Sequence, residues 1–430
     1  MSAGQMTMVA VGGSIGTGLL LGSGAAIEIA GPAVILSFIA AAFISWTLAV
    51  AIGELATVHP GPGSFGLYGE IYLNQWAGFI SRAGYWIAIS ISVGSELVAS
   101  AIYMGYWFPH VPAVLWVLSF SALLLIVNTW EVGSYGRFEY WFAMIKVVTI
   151  LGFVGVGALL LLSGRMPAQY TAQGGFMAKG WLAPLIAMPF ALYTFAGVEF
   201  VAVTTGESRS AADIPRAVRW TFQLLTVVYL SAITILAGVV SSRAAGVTDS
   251  PFVTVFGRAG FPATPHVMNF VVLTAALSGA NAALYISSRM LFSLAQRGWA
   301  PSPLGRLNRA GSPRAAILVS SYAIFVALAL ETWAPADAFV TILTVALFGL
   351  LLSWLISLAA HISFRRRLSA TEVAALPVRA GGGVWSSAIG FILVLVAISE
   401  TCYQSRLTLY AGITYLVLLN IAYLLVRRKA

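Results

Sequence analysis

Three ionisable residues lie well inside long apolar stretches of this sequence: Glu96, Lys146 and Glu199. Glu54 lies nearer the end of such a stretch. Charged groups are costly in hydrocarbon, so residues of this kind pair with one another, line a cavity, or carry ions and protons. A lysine in an apolar environment can exchange protons near neutral pH, because desolvation disfavours its charged form. We predict a proton-handling set of Lys146, Glu96 and Glu199, and a structural role in helix packing for Glu54.

A run of closely spaced glycines, GGSIGTG, begins at Gly12 in the first apolar stretch and allows three interpretations. Its GxxxG spacing favours close packing of membrane helices. Its GxSxG spacing matches the nucleophile elbow of esterases, but that turn needs a preceding strand and nearby histidine and acidic partners. The four histidines lie near predicted helix ends or loops, so none is placed to act as a base for Ser14; they are His59, His110, His266 and His361. The third interpretation is a helix that unwinds, so that its free N–H groups bind a carboxylate.

A second interruption, AGVE, runs from Ala196 to Glu199 and lies five apolar stretches after the first. Carbonyls freed around Phe195, Ala196 and Val198 can accept hydrogen bonds from an ammonium group. Donors at one break and acceptors at the other fit a zwitterion, and the backbone of an α-amino acid is the simplest such ligand. Paired interruptions at matching positions are typical of transporters built from inverted repeats, with the substrate site near the membrane midplane.

The elements that hold these residues follow from the composition. The chain has 430 residues, of which 60% are hydrophobic and 9% are charged, and its mean hydropathy is +0.91. These charged residues are too few to cover a soluble surface, and windows of about 20 apolar residues, the length that spans a hydrocarbon core, recur along almost the whole chain. A soluble enzyme is therefore excluded. We predict an all-α integral membrane protein, because a lipid-exposed span must satisfy its own backbone hydrogen bonds.

We expect about twelve transmembrane helices. Their predicted limits are 6–30, 32–58, 83–104, 111–128, 140–163, 181–205, 220–241, 261–288, 315–330, 338–360, 381–399 and 407–426. The first has no basic lead and no cleavage site, so we interpret it as a retained span and not as a signal peptide. The predicted units are a first repeat of five helices, a second inverted repeat of five, and two C-terminal helices. They cover residues 1–163, 164–367 and 368–430.

The basic residues predict the topology. When Lys and Arg are assigned to alternate sides of the membrane, seventeen fall on one side and five on the other, with Lys146 inside a span. The positive-inside rule then places both termini in the cytoplasm of a multi-pass protein in the inner or plasma membrane. This bias explains the net charge of +9 without nucleic acid as a partner. The single cysteine, Cys402, excludes a disulfide framework and cysteine-rich metal sites.

Seven blocks of sequence stand in order along the chain. They are GGSIGTGLLLGSG from Gly12, GELATVHPGPGSFGLYGE from Gly53, SELVASAIYMGYWFP from Ser95, FEYWFAMIKVVTI from Phe138, TFAGVEFVAVTTGES from Thr194, SPFVTVFGRAG from Ser250 and NFVVLTAALSGANAALYISSRMLFSLAQRGWAP from Asn269. Together they resemble the amino acid transporter (AAT) family of proton-coupled bacterial permeases, in the amino acid-polyamine-organocation (APC) superfamily. Two departures are a chain that starts almost at its first helix, where relatives have a basic lead, and Leu20 where phenylalanine is frequent.

The resemblance implies a five-plus-five inverted-repeat fold with discontinuous first and sixth helices, two additional C-terminal helices, and alternating access. It assigns the substrate carboxylate to Ser14, Ile15, Gly16, Thr17 and Gly18. It assigns the amino group to Phe195, Ala196, Gly197, Val198 and Glu199. It also matches Lys146 to the lysine that takes the place of a sodium ion in proton-coupled relatives.

We therefore predict a secondary transporter, not an enzyme, that takes up neutral L-amino acids with protons, and without a metal or cofactor. One sequence block resembles members that take aromatic or other bulky neutral substrates. From position alone, the side-chain pocket is assigned to Ser95, Ala99, Glu199, Ser278, Asn281 and Phe348. Two intramembrane glutamates leave cationic amino acids or polyamines as an alternative, and an exchanger, a sodium symporter and a non-transporting membrane scaffold are others. The expected partners are an amino acid, protons and the lipid bilayer; the oligomeric state is open.

Overall fold

The computed structural model describes residues 2–59, 64–130, 135–172, 174–203, 213–258, 263–308 and 311–427. Within these ranges the chain is helical and contains no β-strand, as predicted. The helices, numbered in chain order, are α1 Ala3–Ser14, α2 Thr17–Leu20, α3 Gly22–Ala30, α4 Val34–Val58, α5 Ser64–Tyr72, α6 Gln75–Gly105, α7 Ala113–Trp130, α8 Tyr135–Leu162, α9 Ala183–Ile186, α10 Met188–Phe195, α11 Phe200–Val203, α12 Asp213–Val239, α13 Pro251–Arg258, α14 Thr264–Gln296, α15 Arg314–Ser320, α16 Tyr322–Trp333, α17 Ala338–Arg367, α18 Ala370–Ala375, α19 Gly383–Gln404 and α20 Arg406–Arg427.

Each predicted window overlaps one helix or an interrupted series of helices. The first window overlaps α1 to α3, the sixth overlaps α9 to α11, and the ninth overlaps α15 and α16. Nine segments of the described chain are long and apolar enough to cross a membrane by themselves. Short pieces on either side of a break fail a length criterion even when together they cross the bilayer. The total of twelve spans stays a prediction.

Several helices continue past the charged residues that set the predicted limits. The third window begins at residue 83, whereas α6 begins at Gln75 and passes through Arg82, which is 1% exposed. The Arg82 guanidinium donates to the Glu70 carboxylate at 3.1 Å, and Arg297 donates to the same carboxylate at 3.1 Å. A paired charge is tolerated inside a helix bundle. A charge therefore marks the end of an apolar run but not necessarily the end of a helix.

Helix packing is reciprocal between the two predicted repeats. Helix α1 contacts α8 and α12, and α10, five spans later, contacts the corresponding helices α17 and α4. Likewise α6 contacts α17 and α14 contacts α8, while α6 and α14, the third helix of each repeat, contact each other. Two five-helix units related by a two-fold axis require this exchange of partners. The fold is thus the predicted inverted-repeat arrangement, although the boundaries at residues 163 and 367 stay predictions.

Glu54 lies in a buried network at one end of the bundle. Its carboxylate accepts hydrogen bonds from Arg365 and from the backbone N–H of Ala380, and it lies 3.3 Å from His361 Nε2. His361 Nδ1 lies 2.8 Å from the Ser387 hydroxyl. The network joins α4 to α17 and α19, the arrangement expected of a structural glutamate. His361 adjoins the predicted window end at residue 360 and is fully buried, because α17 continues to Arg367.

Some predictions concern residues that the structure does not describe. Of the basic residues used for topology, these are Arg209, Arg309, Arg428 and Lys429, and the side chains of Arg137 and Arg258 are also outside the description. The structure also does not describe parts of three family-like blocks, at residues 60–63, 204–208 and 259–260. The same holds for the ends of two predicted windows, at residues 204–205 and 261–262. The orientation of the termini stays a prediction.

Candidate functional site

The first helix is broken where the glycine run predicts. Helix α1 ends at Ser14 and α2 begins at Thr17, and the Ser14 hydroxyl donates back to the Ala10 carbonyl at 2.7 Å. The freed N–H of Thr17 donates to both carboxylate oxygens of Glu96, at 3.2 and 3.3 Å. A Cβ at Gly16 would collide with that carboxylate, so a larger residue there would displace Glu96 from this position. The break therefore holds a carboxylate, and here it is the protein's own.

The second break lies between α10, which ends at Phe195, and α11, which begins at Phe200. Gly197 has φ of 104°, a conformation that L side chains rarely adopt, and a Cβ there would collide with Ser14 of the first break. The two breaks therefore touch where Gly197 packs against Ser14, and a side chain at residue 197 would not fit between them. The Phe195 carbonyl accepts from the Val198 N–H at 3.3 Å and keeps a second lone pair for another donor.

Glu199 is held inside the second break. One carboxylate oxygen accepts from the backbone N–H of Gly197 at 3.0 Å, and the other accepts from the Tyr85 hydroxyl at 3.1 Å. Glu199 is 1% exposed. Both of its oxygens thus stabilise the unwound segment and its packing against α6.

Lys146 lies in a buried chain of hydrogen bonds beside the first break. Its ammonium donates to the Gly12 carbonyl at 2.6 Å and to the Ser278 hydroxyl at 3.0 Å, and Ser278 in turn donates to Glu139 Oε1 at 2.8 Å. Lys146 is 2% exposed and Glu139 is 3% exposed. The lysine therefore joins α8 to the backbone of α1 and to α14.

A narrow cavity lies between the two breaks. It is lined by Gly13, Ser14, Gly16, Gly18, Ile89, Ser92, Glu96, Tyr193, Ala196, Phe200, Gly279, Ala283 and Leu350. Five predicted residues are thus brought together in the lining: Ser14, Gly16, Gly18, Glu96 and Ala196. Among the described residues that line this cavity, Glu96 is the sole carboxylate. The polar side chains of the lining are this acid and the hydroxyls of Ser14, Ser92 and Tyr193, and the other lining residues are glycines or apolar.

The other residues assigned to the breaks surround the cavity. Ile15 and Phe195 are fully buried, Val198 is nearly so, and Phe195 packs edge-on against Tyr229 with ring centroids 5.1 Å apart. Thr17 contributes through its N–H, as described above. These side chains support the breaks, while the glycines expose the backbone.

The side-chain pocket assigned from position is only partly assembled. Ser95 contacts Tyr193, which lines the cavity, and the two hydroxyls lie 2.7 Å apart. Ala99 is fully buried in α6, one turn beyond Glu96. Ser278 belongs to the Lys146 chain.

Asn281 and Phe348 lie away from this part of the cavity. Asn281 accepts a hydrogen bond from the Asn128 side chain at 2.6 Å, which joins α14 to α7. Phe348 packs edge-on against Tyr415 of α20, with ring centroids 6.0 Å apart. The residue of α17 that lines the cavity in the described chain is Leu350, which points to the other side of the helix from Phe348.

The sequence does not single out Glu139, because a charge directly before a window that begins at residue 140 looks like the end of an apolar run. It stands seven residues before Lys146, which places both on one face of α8, two turns apart. That spacing of an acid and a base could have indicated the pair. Tyr85 and Tyr193 were also missed, and nothing in their sequence context distinguishes them from packing aromatics.

Comparison with known proteins decides the family. The model of the amino acid permease family, AA_permease, matches residues 5–428. The chain belongs to this family. Its relatives are permeases, which are transporters and not enzymes, so this is a multi-pass membrane protein whose substrate class is amino acids.

Three relatives illustrate the range of this family. The uncharacterized amino acid permease YtnA of Bacillus subtilis (strain 168) is 32% identical, over 97% of this chain and 93% of that protein. The gamma-aminobutyric acid permease of the same strain is 33% identical, over 99% and 92%. The aromatic amino acid transport protein AroP of Salmonella typhimurium (strain SL1344) is 34% identical, over 84% and 80%.

A solved structure confirms the fold alone. The Eremococcus coleocola manganese transporter, solved in complex with an aromatic bis-isothiourea substituted compound, superposes with a TM-score of 0.59. The match covers 100% of this chain and 95% of that one at 14% sequence identity.

Proposed function

We propose that this permease takes up neutral L-amino acids, including bulky or aromatic ones, together with protons by alternating access. One observation carries the proposal: the Glu96 carboxylate occupies the Thr17 N–H at the first break, where the sequence predicts that the substrate carboxylate binds. Two anions cannot share one small group of donors without strong repulsion. Substrate binding therefore requires that Glu96 be neutralised or displaced.

Protonation of Glu96 supplies this step. A protonated carboxyl is a weaker acceptor than a carboxylate, so the proton releases the Thr17 N–H for the carboxylate of the substrate. The substrate ammonium is then held by carbonyls of the second break, such as that of Phe195. Proton and amino acid thus stabilise the same state of the cavity, which is the thermodynamic requirement for coupling.

Lys146 completes the coupling. Its ammonium joins α8 to the Gly12 carbonyl of α1. Loss of its proton removes a charge-assisted hydrogen bond between a moving half-helix and the rest of the protein. The protonation state of Lys146 therefore biases how easily α1 moves.

The lining favours a neutral side chain. Ile89, Phe200, Ala283 and Leu350 present apolar surface to the cavity. Glu199 is committed on both oxygens to Gly197 and Tyr85, which leaves Glu96 as the described acid of the cavity. A relative named for aromatic amino acid transport supports this choice.

Uptake into proteoliposomes tests the proposal. Purified protein is given an inside-alkaline pH gradient without sodium, and a labelled neutral amino acid is offered with unlabelled competitors in turn. We expect accumulation that a protonophore abolishes and that bulky neutral amino acids inhibit best. Stronger inhibition by lysine, arginine or a polyamine would select the cationic alternative. Exchange without accumulation, a need for sodium, or absence of any uptake would each refute proton symport.

We also propose that both termini are cytoplasmic. The single cysteine allows a direct test: in a Cys402→Ser background, Ala370→Cys and Arg406→Cys introduce thiols in exposed positions on either side of α19. A membrane-impermeant thiol reagent added to intact cells should label the second variant and not the first. The reverse pattern would invert the topology.

A further inference from the structure

Glu139 is a buried carboxylate for which packing alone offers no reason. It lies in the second turn of α8, and Lys146 lies seven residues further on. That separation is about 10 Å along the helix axis, and the Lys146 ammonium bonds to the Gly12 carbonyl and the Ser278 hydroxyl. The Ser278 hydroxyl of α14 fills the gap, since it accepts from Lys146 at 3.0 Å and donates to Glu139 at 2.8 Å.

This arrangement is a complete path for a proton. A serine hydroxyl is both a donor and an acceptor and can rotate between its partners. When a proton leaves Lys146, its N–H bond breaks and a bond to the Ser278 oxygen forms, while the original Ser278 proton passes to Glu139. The products are a neutral amine, an unchanged serine and a neutral carboxylic acid. No isolated charge remains in the low-dielectric interior.

Few other charges face this carboxylate. Helix α1 has no ionisable side chain and meets Glu139 through the backbone of Gly12. On α14, Arg289 stacks over Tyr285, and His266 bonds Trp107 near the start of that helix. On α12, Asp213 is partly buried, and Arg216 and Arg219 are exposed near its start. Within the described chain, Lys146 is thus the charged side chain that is joined to Glu139 through Ser278, while Glu96 of α6 contacts the first break at Thr17.

Glu139 is covered by α1, the half-helix that moves in the alternating access proposed above. A Cβ at Gly12 would collide with the Glu139 carboxylate, so α1 lies directly on this group. The same Gly12 offers its carbonyl to Lys146. Separation of α1 from α8 therefore breaks the bond between Lys146 and Gly12 and uncovers Glu139 in a single movement. Helix α8 begins only four residues earlier, at its predicted cytoplasmic end.

We propose that Glu139 is a second proton-binding site, which receives the proton of Lys146 through the Ser278 hydroxyl and releases it to cytoplasmic water when α1 swings away. The site deepens the proton-coupled transport proposed above and rests on it. Glu96 takes up a proton with the substrate at the breaks, and that proton replaces the one that Lys146 has passed through Ser278 to Glu139, so that Lys146 is protonated again and one proton is released per cycle.

The test compares Glu139→Gln with the wild-type protein in proteoliposomes. Glutamine keeps an acceptor for Ser278 but cannot take the proton. Exchange of labelled for unlabelled substrate, without a gradient, should stay within about twofold of wild type, whereas accumulation in a gradient of one pH unit should vanish. One proton supports about tenfold accumulation in such a gradient, because one pH unit corresponds to 1.36 kcal/mol. Glu331→Gln, a matched substitution in α16, should leave both activities unchanged.

Two further measurements separate this site from a packing role. Ser278→Ala breaks the path without changing Glu139 and should lower accumulation more than exchange, while Ser278→Thr restores the hydroxyl and should recover it. Infrared difference spectra recorded on adding substrate should show a protonated carboxylic acid band that Glu139→Gln lacks. Accumulation like that of wild type in Glu139→Gln, or equal loss of exchange and accumulation in both Glu139→Gln and Ser278→Ala, would overturn the proposal. Failure of wild-type accumulation would instead refute the proposed symport.

Discussion

Glu54 and Glu96 are both buried glutamates in membrane helices, and their partners differ in kind. Glu54 accepts from the Arg365 guanidinium and the Ala380 N–H, and His361 lies beside it. Glu96 accepts from one backbone N–H at a break, in the lining of a cavity. Arginine keeps its proton in proteins, so the Glu54 carboxylate has a permanent counter-charge. The contact between Glu96 and the Thr17 N–H, by contrast, can be replaced by a proton on Glu96 or by a substrate carboxylate at Thr17.

The comparison extends to the cations. Arg365 holds Glu54 in a network that joins α4 to α17, whereas Lys146 donates to a carbonyl and a hydroxyl and lies in a chain that ends at Glu139. A guanidinium suits a pair that must stay charged, and a lysine suits a site that must titrate. Burial alone therefore does not distinguish a structural acid from a functional one. The distinction depends on whether a proton or a substrate can replace the partner of the acid.

The largest effect is expected at Lys146. In Lys146→Ala, accumulation driven by a pH gradient should fall to the level of empty vesicles while some exchange remains, because the breaks are intact but the titrating lock is gone. In Arg365→Lys, its counterpart in the other network, accumulation should persist because the charge is kept. Labelled uptake with and without a gradient measures both. Unchanged accumulation in Lys146→Ala would remove the lysine from the mechanism.

The Glu54 network is expected to matter for stability and not for coupling. Glu54→Gln leaves Arg365 buried without its counter-charge, which should cost about 3–5 kcal/mol of unfolding free energy. The double variant Glu54→Gln with Arg365→Met should recover part of that loss, since no unpaired charge remains. Thermal unfolding in detergent gives the order of stability. Folded Glu54→Gln that transports without any pH dependence would erase the distinction between the two regions.

An intermediate effect is expected at Glu96. Glutamine is a permanently neutral substitute for the protonated acid, so Glu96→Gln should bind substrate about tenfold more tightly at alkaline pH, a difference of about 1.4 kcal/mol. It should exchange substrate but not accumulate it. Binding measured by tryptophan fluorescence or calorimetry at several pH values reports the change. Weaker binding at every pH would mean that Glu96 holds the substrate directly as an anion.

The smallest effects are expected at two glycines. A methyl group at Gly16 collides with the Glu96 carboxylate, so Gly16→Ala should raise the KM for substrate several-fold. Gly155 of α8 has nothing within 4 Å of an added Cβ, and Gly155→Ala should keep the KM and stabilise the helix by about 0.5–1 kcal/mol. Similar kinetics for both variants would show that the contact between Gly16 and Glu96 is unimportant.

Much of the fold was predictable because apolar length and glycine spacing are local properties. The run from Gly12 located the first break, and AGVE located the second, since Gly197 adopts a positive φ. Helix limits were less predictable: Arg82 looks like the end of a span in the sequence, yet its pairing with Glu70 lets α6 continue. Pairing depends on distant residues that no local pattern contains.

The site was predicted to the extent that it consists of backbone. Closely spaced glycines indicate where backbone N–H groups and carbonyls are exposed. The residues of the two breaks that line the cavity include Ser14, Gly16, Gly18 and Ala196. Side-chain partners were harder to foresee, because the direction in which a helix faces decides them. Position alone could not show that Phe348 packs against Tyr415 while Leu350 faces the cavity.

The central claim is that a proton on Glu96 and the substrate carboxylate stabilise the same state of the break. Substrate affinity of the purified protein, measured without a membrane gradient across a range of pH, tests it most directly in wild type and Glu96→Gln. Wild-type affinity should rise as the pH falls, and the variant should bind tightly at every pH. The same pH dependence in both proteins would contradict it.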